Sequence, residues 1–446
     1  MLYTPLKWLF YLTTKAYFRS LTISGKDFIP KSDTPILFAA NHPSSFMDSI
    51  LLGAHIKRSL FFLARGDIFK NKLLRPAFNQ LHMIPVYKAD LSPGQLHKNA
   101  GTFEKCHQHF GQNKTILIFP EGVSKTERRL RPIKTGTARI ALGAEEKHNF
   151  ELGLAIIPIG LNYSDPHLFK SDVLVNFGEP IQVSDYKNAF IEDPREAVLQ
   201  LTELIKFELE KRIVFIENDQ LEKTIEQIET LYRGTLRAEN STEEKGTQDF
   251  RLSQDIAKAV VHYAKHEPAI LKNFEHKIST YVEDLDRSQL RDTQIRSSSI
   301  RFFAVRRLLY FLIGLPFFLF GFITNFIPFK LTGFIGRKIK IREDFVGAIT
   351  IAVGLIVFLI FYGIEAFVMA SYTNNILGML FFLVLYPTGV FCINYMVTYY
   401  KLRQTFKYIT LFMRKSNLIA SLKTTKEELI EELEKRKAEY LKLQAT

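Results

Sequence analysis

A histidine and a carboxylate that could act together as a general base follow the first buried strand predicted for the chain. Residues 41–48 read NHPSSFMD, so His42 and Asp48 are six positions apart. In open α/β sheets, the loops at the carboxyl ends of strands carry the chemistry. A carboxylate that accepts one ring N–H of a histidine fixes the tautomer, and the other ring nitrogen can then take a proton from a hydroxyl. The pattern predicts base catalysis on a hydroxyl.

His42 and Asp48 can meet only if His42 precedes the helix that carries Asp48. Six positions along a continuous helix turn the chain through roughly 600°, at about 100° per residue, so the side chains would face apart. Pro43 favours a break, because the residue before a proline is pushed out of helical geometry. The alternative is a capping box, with Ser45 as N-cap and Asp48 three residues on. Asp48 would then only close a helix end, and His42 would be an ordinary loop histidine.

A second polar segment follows the strand predicted at Thr115 to Phe119. It joins a carboxylate and a hydroxyl to a dense basic loop and the start of a helix, a combination that suits an anion next to a hydroxyl. Arginine matches phosphate oxygens through its two-pronged guanidinium group. The alternative is a solvated basic loop. The candidate residues are Glu121, Gly122, Ser124, Lys125, Arg128, Arg129, Arg131 and Lys134, with Arg65 at the end of the second strand as either a site residue or a surface arginine.

These segments together resemble the glycerophospholipid acyltransferase family, the bacterial lysophosphatidate and glycerol-3-phosphate acyltransferases. The family has an Asn-His block with a downstream Asp, a block with a basic residue, a Phe-Pro-Glu-Gly block and a strand proline. The similar residues here are Asn41, His42, Asp48, Arg65 (loosely), Phe119 to Gly122, and Pro158. The resemblance covers about residues 22 to 182.

Two departures point to the glycerol-3-phosphate branch of that family. Five residues separate His42 from Asp48, whereas the commonest pattern has four. The segment after Glu121 reads Gly122-Val123-Ser124 and lacks the usual arginine, and residues 130–136 continue as LRPIKTG. The resemblance then leaves phosphate binding to Lys125, Arg128, Arg129 or Lys134, without a ranking among them.

The resemblance implies transfer of a fatty acyl group from acyl-CoA or acyl carrier protein to glycerol-3-phosphate or 1-acylglycerol-3-phosphate in phospholipid synthesis. His42 would be the base and Asp48 its partner, Glu121 and Gly122 would hold the glycerol, and Asn41 and Ser124 would line the substrate site. The thioester is a co-substrate, and no cofactor or metal is implied. The alternative function is a membrane-anchored scaffold with the same fold but no activity.

The elements that must position these residues alternate between strands and helices from residue 22 to 183. That rhythm predicts an α/β domain with a mostly parallel sheet covered by helices, the acyltransferase domain. The predicted strands are 35–40, 59–64, 82–87, 115–119, 154–161 and 173–177, and the predicted helices are 46–56, 68–81 and 95–111. Residues 1–21 predict either an amphipathic helix in a bilayer interface or a first helix packed on its own domain. Residues 184–300 predict a helical region without chemistry, and residues 401–446 a charged helical tail.

Residues 301–400 carry three apolar segments, 308–328, 345–371 and 376–398, and about twenty apolar residues are enough to cross a bilayer as a helix. Basic residues follow the third segment, and the link at 372–375 is uncharged, which predicts that the last two segments form a hairpin with both ends in the cytoplasm. The first segment has basic flanks on both sides, so a re-entrant hairpin bent at Pro316 is favoured over a plain span. The chain is thus predicted to be an integral membrane protein with its catalytic domain on the cytoplasmic side.

Composition supports a lipid partner over a nucleic acid. The chain has 446 residues, 39 phenylalanines and a formal net charge of +13. A basic chain meets anionic partners, but no helix-turn-helix or aromatic-basic platform accompanies the charge, so no nucleic acid is expected. Its two cysteines, far apart in sequence, exclude a disulfide framework and a cysteine-based zinc site.

Overall fold

The chain forms two compact units in a computed structural model that describes residues 2–31, 34–73, 75–88, 94–216, 218–236, 244–288, 290, 292, 300–339, 343–414 and 416–445. The first unit comprises residues 1–217, 244–250 and 340–352. The second comprises residues 218–243, 251–339 and 353–446. The candidate catalytic residues all belong to the first unit, and most of the apolar helical segments belong to the second.

A mostly parallel sheet forms the centre of the first unit. Its strands are β1 (Ser20–Ser24), β2 (Ile36–Ala40), β3 (Leu60–Arg65), β4 (Met83–Val86), β5 (Thr115–Ile118), β6 (Ala155–Tyr163), β7 (Asp172–Phe177) and β8 (Ile181–Gln182). They lie in the order β1-β7-β6-β2-β5-β3-β4, and β8 pairs with β6. Among the described strands, only the β6–β7 and β6–β8 pairings are antiparallel. The predicted fold class is confirmed, although the sequence did not predict β1 and β8.

Helices cover both faces of the sheet. Those of the first unit are α1 (Tyr3–Tyr17), α2 (Phe46–His55), α3 (Arg75–Gln80), α4 (Asn99–Phe110), α5 (Gly136–Lys147), α6 (Lys187–Glu192) and α7 (Pro194–Glu210). Along β2, Leu37 and Ala39 point into one buried core, and Ile36, Phe38 and Ala40 point into another. Successive side chains of a strand face opposite sides, so the continuous apolar run of β2 is what a doubly covered sheet requires.

The predicted helix at 68–81 is wrong in extent. The described residues there form a short 3-10 helix at Gly66–Lys70 and then α3, which has Pro76 in its first turn. Proline has no backbone N–H and fits only the first turn of a helix. The periodicity of the segment therefore suggested a longer helix than the backbone can form.

The predicted boundary at residue 183 also differs from the structure. The first unit continues to residue 217, because Leu201, Ile205 and Leu209 on one face of α7 are buried in the core that contains Leu37 and Ile116. The apolar spacing on this helix was visible in the sequence. The sequence did not show which face of the sheet this helix covers, because local periodicity carries no information on tertiary partners.

Helix α1 packs on its own domain. Tyr3, Thr14 and Tyr17 are buried, and the Tyr3 hydroxyl accepts the backbone N–H of Leu60 at 2.8 Å. The ammonium group of Lys7 donates to the carbonyl oxygens of residues 56–58, just beyond the end of α2. The predicted domain start at residue 22 is therefore wrong, since α1 and β1 belong to the same unit. The 63% exposed Trp8 leaves the interfacial alternative open for the outer face of α1.

The first turns of a long apolar helix, α12 (Glu343–Tyr372), belong to the first unit. Ala348 and Ile351 are buried in the same core as Met47 of α2. A Cβ atom at Gly347 would lie 2.6 Å from the carbonyl oxygen of Pro166, so only glycine allows this close approach. The second apolar segment thus starts from a fixed position beside the helix that carries Asp48.

The second unit is helical in its described parts. Its helices are α8 (Asp219–Leu236), α9 (Lys245–His266), α10 (Pro268–Ser288), α11 (Ile300–Lys338), the remainder of α12, α13 (Asn375–Arg414) and α14 (Ser416–Ala445). The first residues of α9 are counted with the first unit. Residues 401–446 were predicted to form a charged helical tail, but residues 401–414 continue α13 and the tail helix is α14. In α14, Ile419, Leu422 and Leu429 are buried, so the tail is a packed helix with one charged face.

Among the described residues, three helices are long and apolar enough to cross a membrane: Leu309–Gly336, Phe345–Tyr372 and Asn375–Arg403. The three apolar segments are confirmed at this level, each longer than predicted. The predicted reversal at Pro316 is wrong, because α11 continues through Pro316 and Pro328. Apolar helices tolerate an interior proline when neighbouring helices and nearby polar side chains satisfy the freed backbone groups. The basic residues Lys340 and Arg342, used to predict orientation, lie outside the described residues.

Candidate active site

The loop after β2 is anchored to the neighbouring strand β6. The Asn41 side-chain amide donates to the carbonyl oxygen of Leu161 at 3.1 Å, and its oxygen accepts the Leu161 N–H at 2.7 Å. Asn41 is buried, so these two bonds replace the pairing that the strand loses where β2 ends. The observed contacts of Asn41 therefore position the loop.

His42 and Asp48 meet in the way the sequence required. His42 Nδ1 lies 2.8 Å from Asp48 Oδ2. Helix α2 begins only at Phe46, and Ser45 has a positive φ of 46° that breaks the helical path before it. The capping-box alternative does not form, since the Ser45 side chain makes no cap bond; instead, Asp48 Oδ2 accepts the N–H of Ser44 at 2.8 Å. Asp48 thus holds both the ring and the loop backbone.

A third side chain holds the opposite oxygen of Asp48. The Tyr163 hydroxyl, at the end of β6, donates to Asp48 Oδ1 at 2.8 Å. Burial, followed by the negative charge of Asp48, raises the pKa of Tyr163 well above its ordinary value, so the phenol keeps its proton. Tyr163 was not among the site residues predicted from the sequence. The available signal was its position two residues after Leu161, on the strand that pairs with β2.

The other ring nitrogen of His42 remains available. The ring stacks on Phe119 with centroids 3.8 Å apart and planes 11° apart. The side chain is 17% exposed, and within the described parts of the chain Nε2 has no hydrogen-bond partner. An imidazole fixed on one side by a carboxylate and open on the other is the arrangement that general-base catalysis needs.

Glu121 connects the two loops through their backbones. Its Oε1 accepts the N–H of His42 at 2.8 Å, and its Oε2 accepts the N–H of Arg131 at 3.2 Å. Burial raises the pKa of Glu121, and the two backbone hydrogen bonds counteract that rise in part. The sequence predicted that Glu121 and Gly122 hold glycerol. The observed contacts of Glu121 organise the loops, and a carboxylate has spare lone pairs with which to accept a further hydroxyl.

Gly122 and Lys134 lie next to each other at the end of β5. Gly122 has a φ of 70°, a conformation that favours glycine. A Cβ atom built there would lie 3.5 Å from the side chain of Lys134, whose backbone N–H donates to the carbonyl oxygen of Pro120 at 3.0 Å. Lys134 is exposed, and no carboxylate among the described residues forms an ion pair with it.

The rest of the basic loop surrounds one carboxylate. Lys125, Arg129 and Arg131 all pair with Glu127, the two arginines at 2.9 and 3.2 Å. Burial alone would raise the pKa of Glu127, but hydrogen bonds from Arg129, Lys125 and Arg131 together lower it to about 2. Lys125, Arg129 and Arg131 are therefore paired with one carboxylate that stays charged at neutral pH.

The remaining predicted site residues have separate positions. The Ser124 hydroxyl accepts the N–H of Ser45 at 2.7 Å and so joins the two loops. The carbonyl oxygen of Arg128 accepts the N–H of Ile216 at 2.6 Å. Arg65 pairs with Asp67 at 2.7 Å at the end of β3, which is separated from β2 by β5. Among the described residues no group of three or more His, Cys, Asp or Glu is arranged to hold a metal ion.

Comparison with known proteins agrees with the chemistry of this site. The sequence profile described as acyltransferase matches residues 20–162, which include the His42 loop and the Phe119 to Gly122 block. This part of the chain belongs to the acyltransferase family. The resemblance inferred from the motifs is confirmed at that level, and the matched range coincides with the strands that carry the site.

Two relatives of this part of the chain have names that refer to glycerol phosphates. Glycerol-3-phosphate O-acyltransferase 1 of Saccharomyces cerevisiae is 24% identical over 52% of this chain and 42% of the yeast protein. A chloroplastic 1-acyl-sn-glycerol-3-phosphate acyltransferase of Arabidopsis thaliana is 25% identical over 32% of this chain and 36% of its own length. The chain thus spans less than half the length of these curated relatives. A crystal structure of the 1-acyl-sn-glycerophosphate acyltransferase of Thermotoga maritima is 17% identical, with a TM-score of 0.32, covering 46% of this chain and 80% of that one.

Proposed function

We propose that the protein is an O-acyltransferase that moves a fatty acyl group from a thioester to glycerol-3-phosphate or 1-acylglycerol-3-phosphate in phospholipid synthesis. The observation that carries the proposal is the 2.8 Å contact between His42 Nδ1 and Asp48 Oδ2, with His42 Nε2 open. The names of the relatives supply the acceptor class. The ordered carboxylate–histidine pair favours an enzyme over an inactive scaffold.

The reaction needs one proton carrier and no covalent enzyme intermediate. His42 Nε2 takes the proton of the acceptor hydroxyl as its oxygen bonds to the thioester carbonyl carbon. Asp48 stabilises the imidazolium that forms. When the tetrahedral intermediate collapses, the C–S bond breaks, and the leaving thiolate takes the proton back from the imidazolium. The products are an ester and a free thiol.

Lys134 is the first choice for the acceptor phosphate. It lies against Gly122 next to the histidine loop, and Lys125 and Arg129 pair with Glu127. An ammonium group without a carboxylate partner can bind a phosphate without first breaking an ion pair. Arg129 and Arg131 would adjust around the phosphate, while Glu121 and Gly122 shape the space for the glycerol.

The donor is proposed to be acyl-CoA, with acyl carrier protein as the alternative carrier. The protein is proposed to be integral to the membrane, with the acyltransferase domain on the cytoplasmic side. The uncharged turn between α12 and α13 and the basic residues after Tyr400 support this orientation under the positive-inside rule.

Product analysis by mass spectrometry tests the reaction and the acceptor together. The full chain in nanodiscs would receive palmitoyl-CoA with either glycerol-3-phosphate or 1-acylglycerol-3-phosphate. We expect one acceptor to be esterified, and we expect His42→Ala to lose the product by about 100- to 10,000-fold. His97→Ala, outside the site, is the matched control. Turnover of neither acceptor by the folded wild type, or near-normal turnover by His42→Ala, would overturn the proposal.

A further inference from the structure

The second unit contains a cavity that has no part in the proposed catalysis. It measures about 350 Å³ and is lined entirely by residues of α8, α9, α10 and α14. Empty apolar space inside a helix bundle lowers its stability, because the lining atoms lose their packing partners. A cavity of this size lies at the low end of the range of pockets that hold small molecules, so it fits one hydrocarbon chain better than two.

The walls of the cavity are mainly hydrocarbon. Ile228 of α8, Val260 of α9, Phe274 of α10 and Leu433 of α14 contribute one wall each, and the first three are buried. The Tyr263 hydroxyl, which could have made the interior polar, donates to the carbonyl oxygen of Arg436 at 3.0 Å. Such a lining favours an apolar ligand over ordered water, which needs two to four polar partners.

Cationic side chains lie on the α14 wall of this cavity. Arg436 and Lys437 both line it. Arg436 donates through Nη1 to Glu439 at 2.8 Å, and Lys437 pairs with Glu434 at 3.8 Å. The lining carboxylate Glu432 pairs with Lys277 at 2.9 Å, and the lining Asp255 is exposed. Both ion pairs are partly exposed, and such pairs are weak enough for an incoming carboxylate to replace them.

We propose that this cavity binds a long-chain carboxylate, with its hydrocarbon chain between α8, α9 and α10 and its head group at Arg436 and Lys437. The apolar walls select the chain, and the positive charges of Arg436 and Lys437 select an anionic head over a neutral one. The site gives the protein a way to bind free fatty acid apart from the histidine loop. The proposed carboxylate site depends on the helical unit alone, so its test is independent of the proposed acyl transfer.

Photolabelling of the full chain in phosphatidylcholine nanodiscs tests the site. A palmitate analogue with a diazirine in its chain would be cross-linked, and the labelled peptides identified by mass spectrometry. We expect labels on α8, α9, α10 or α14. Palmitate should compete with this labelling about tenfold more strongly than hexadecanol, since one charge-assisted hydrogen bond distinguishes the two. Labels confined to α11–α13, or equal competition by hexadecanol, would overturn the proposal.

Two pairs of variants locate the binding determinants. Ala259→Phe places a ring in the cavity and should abolish the competed label, whereas Ala438→Phe, at an exposed position of α14, should leave it unchanged. Arg436→Gln should weaken palmitate competition about tenfold, and its exposed neighbour variant Lys435→Gln should not. Thermal unfolding confirms that each variant is folded. Should Ala259→Phe fail to fold, the Arg436 pair still decides, and unchanged competition in Arg436→Gln would refute the assignment.

Discussion

The loop from Asn41 to Asp48 and the loop from Ser124 to Lys134 meet at one end of the sheet, yet their charged groups are held in different ways. In the first loop, buried Asp48 is fixed by His42, by the Ser44 backbone and by Tyr163. In the second, Lys125, Arg129 and Arg131 share the single carboxylate of Glu127. Bonds to a buried group allow one geometry, whereas ion pairs whose cations are roughly a third to a half exposed can exchange partners.

Acyl transfer would impose different requirements on the histidine loop and on the basic loop. Proton transfer needs atoms held within a fraction of an ångström of their working positions. Binding of a phosphate needs positive charge that can follow the ligand, since flexible cations adapt to it. We therefore expect substitutions in the histidine loop to lower kcat strongly, and substitutions in the basic loop to act mainly on the KM of the acceptor.

Asp48→Asn should produce the largest effect after removal of His42 itself. Asparagine keeps the size of the side chain but loses the charge that stabilises the imidazolium, so kcat should fall on the order of 100-fold. Steady-state kinetics with the acceptor at saturation measures this. Because the two residues act as one unit, Asp48→Asn combined with His42→Ala should cost little more than His42→Ala alone. Additive losses would mean that Asp48 does not act through His42.

Tyr163→Phe should lower kcat about tenfold with little change in KM, because Asp48 loses one of the three donors that orient it. The carboxylate would then interact more strongly with the imidazolium, and the acidic limb of the pH–rate profile should move to higher pH. Tyr186→Phe, a half-buried tyrosine far along the chain from the site, is the control. A uniform fall in activity with an unchanged pH profile would assign Tyr163 a purely structural role.

Lys134→Met should raise the acceptor KM about tenfold and change kcat by less than that, since it removes one phosphate contact. The effect should disappear when the acceptor is a monoacylglycerol without phosphate. Lys187→Met, an exposed lysine on α6, serves as the matched control. If Lys134→Met leaves the acceptor KM unchanged, the phosphate must bind to other cations of the loop.

Glu127→Gln should have the smallest effect, on stability at acid pH. The pKa of Glu127 is lowered from 4.5 to about 2, so the folded state binds fewer protons than the unfolded state between those values. Its contribution is fully present above pH 4.5 and is lost as the pH falls toward 2. The Tm of the wild type should exceed that of Glu127→Gln by about 2 °C at pH 6, and the difference should shrink by pH 3. A constant difference would show that the ion pairs are not responsible.

Much of the catalytic prediction followed from residues that are close together in the sequence. Pro43 and the apolar run of β2 place His42 on a loop before a helix, and the contact between His42 and Asp48 follows from that short-range geometry. Tyr163 lies 115 positions after Asp48, and the two backbone contacts of Glu121 come from separate loops. Pairs of this kind depend on which strands become neighbours, and one sequence without its fold does not contain that information.

Short-range features could be read from the sequence alone. These are the alternation that builds a parallel sheet, the histidine and aspartate around one helix start, and apolar helices long enough for a bilayer. The tertiary structure decided what those features contact: Tyr163 on Asp48, Glu121 across two loops, α7 in the domain core and the first turns of α12 against α2. The physical reason is that periodicity and capping act over one or two turns of chain. Burial and strand order are set by the whole molecule.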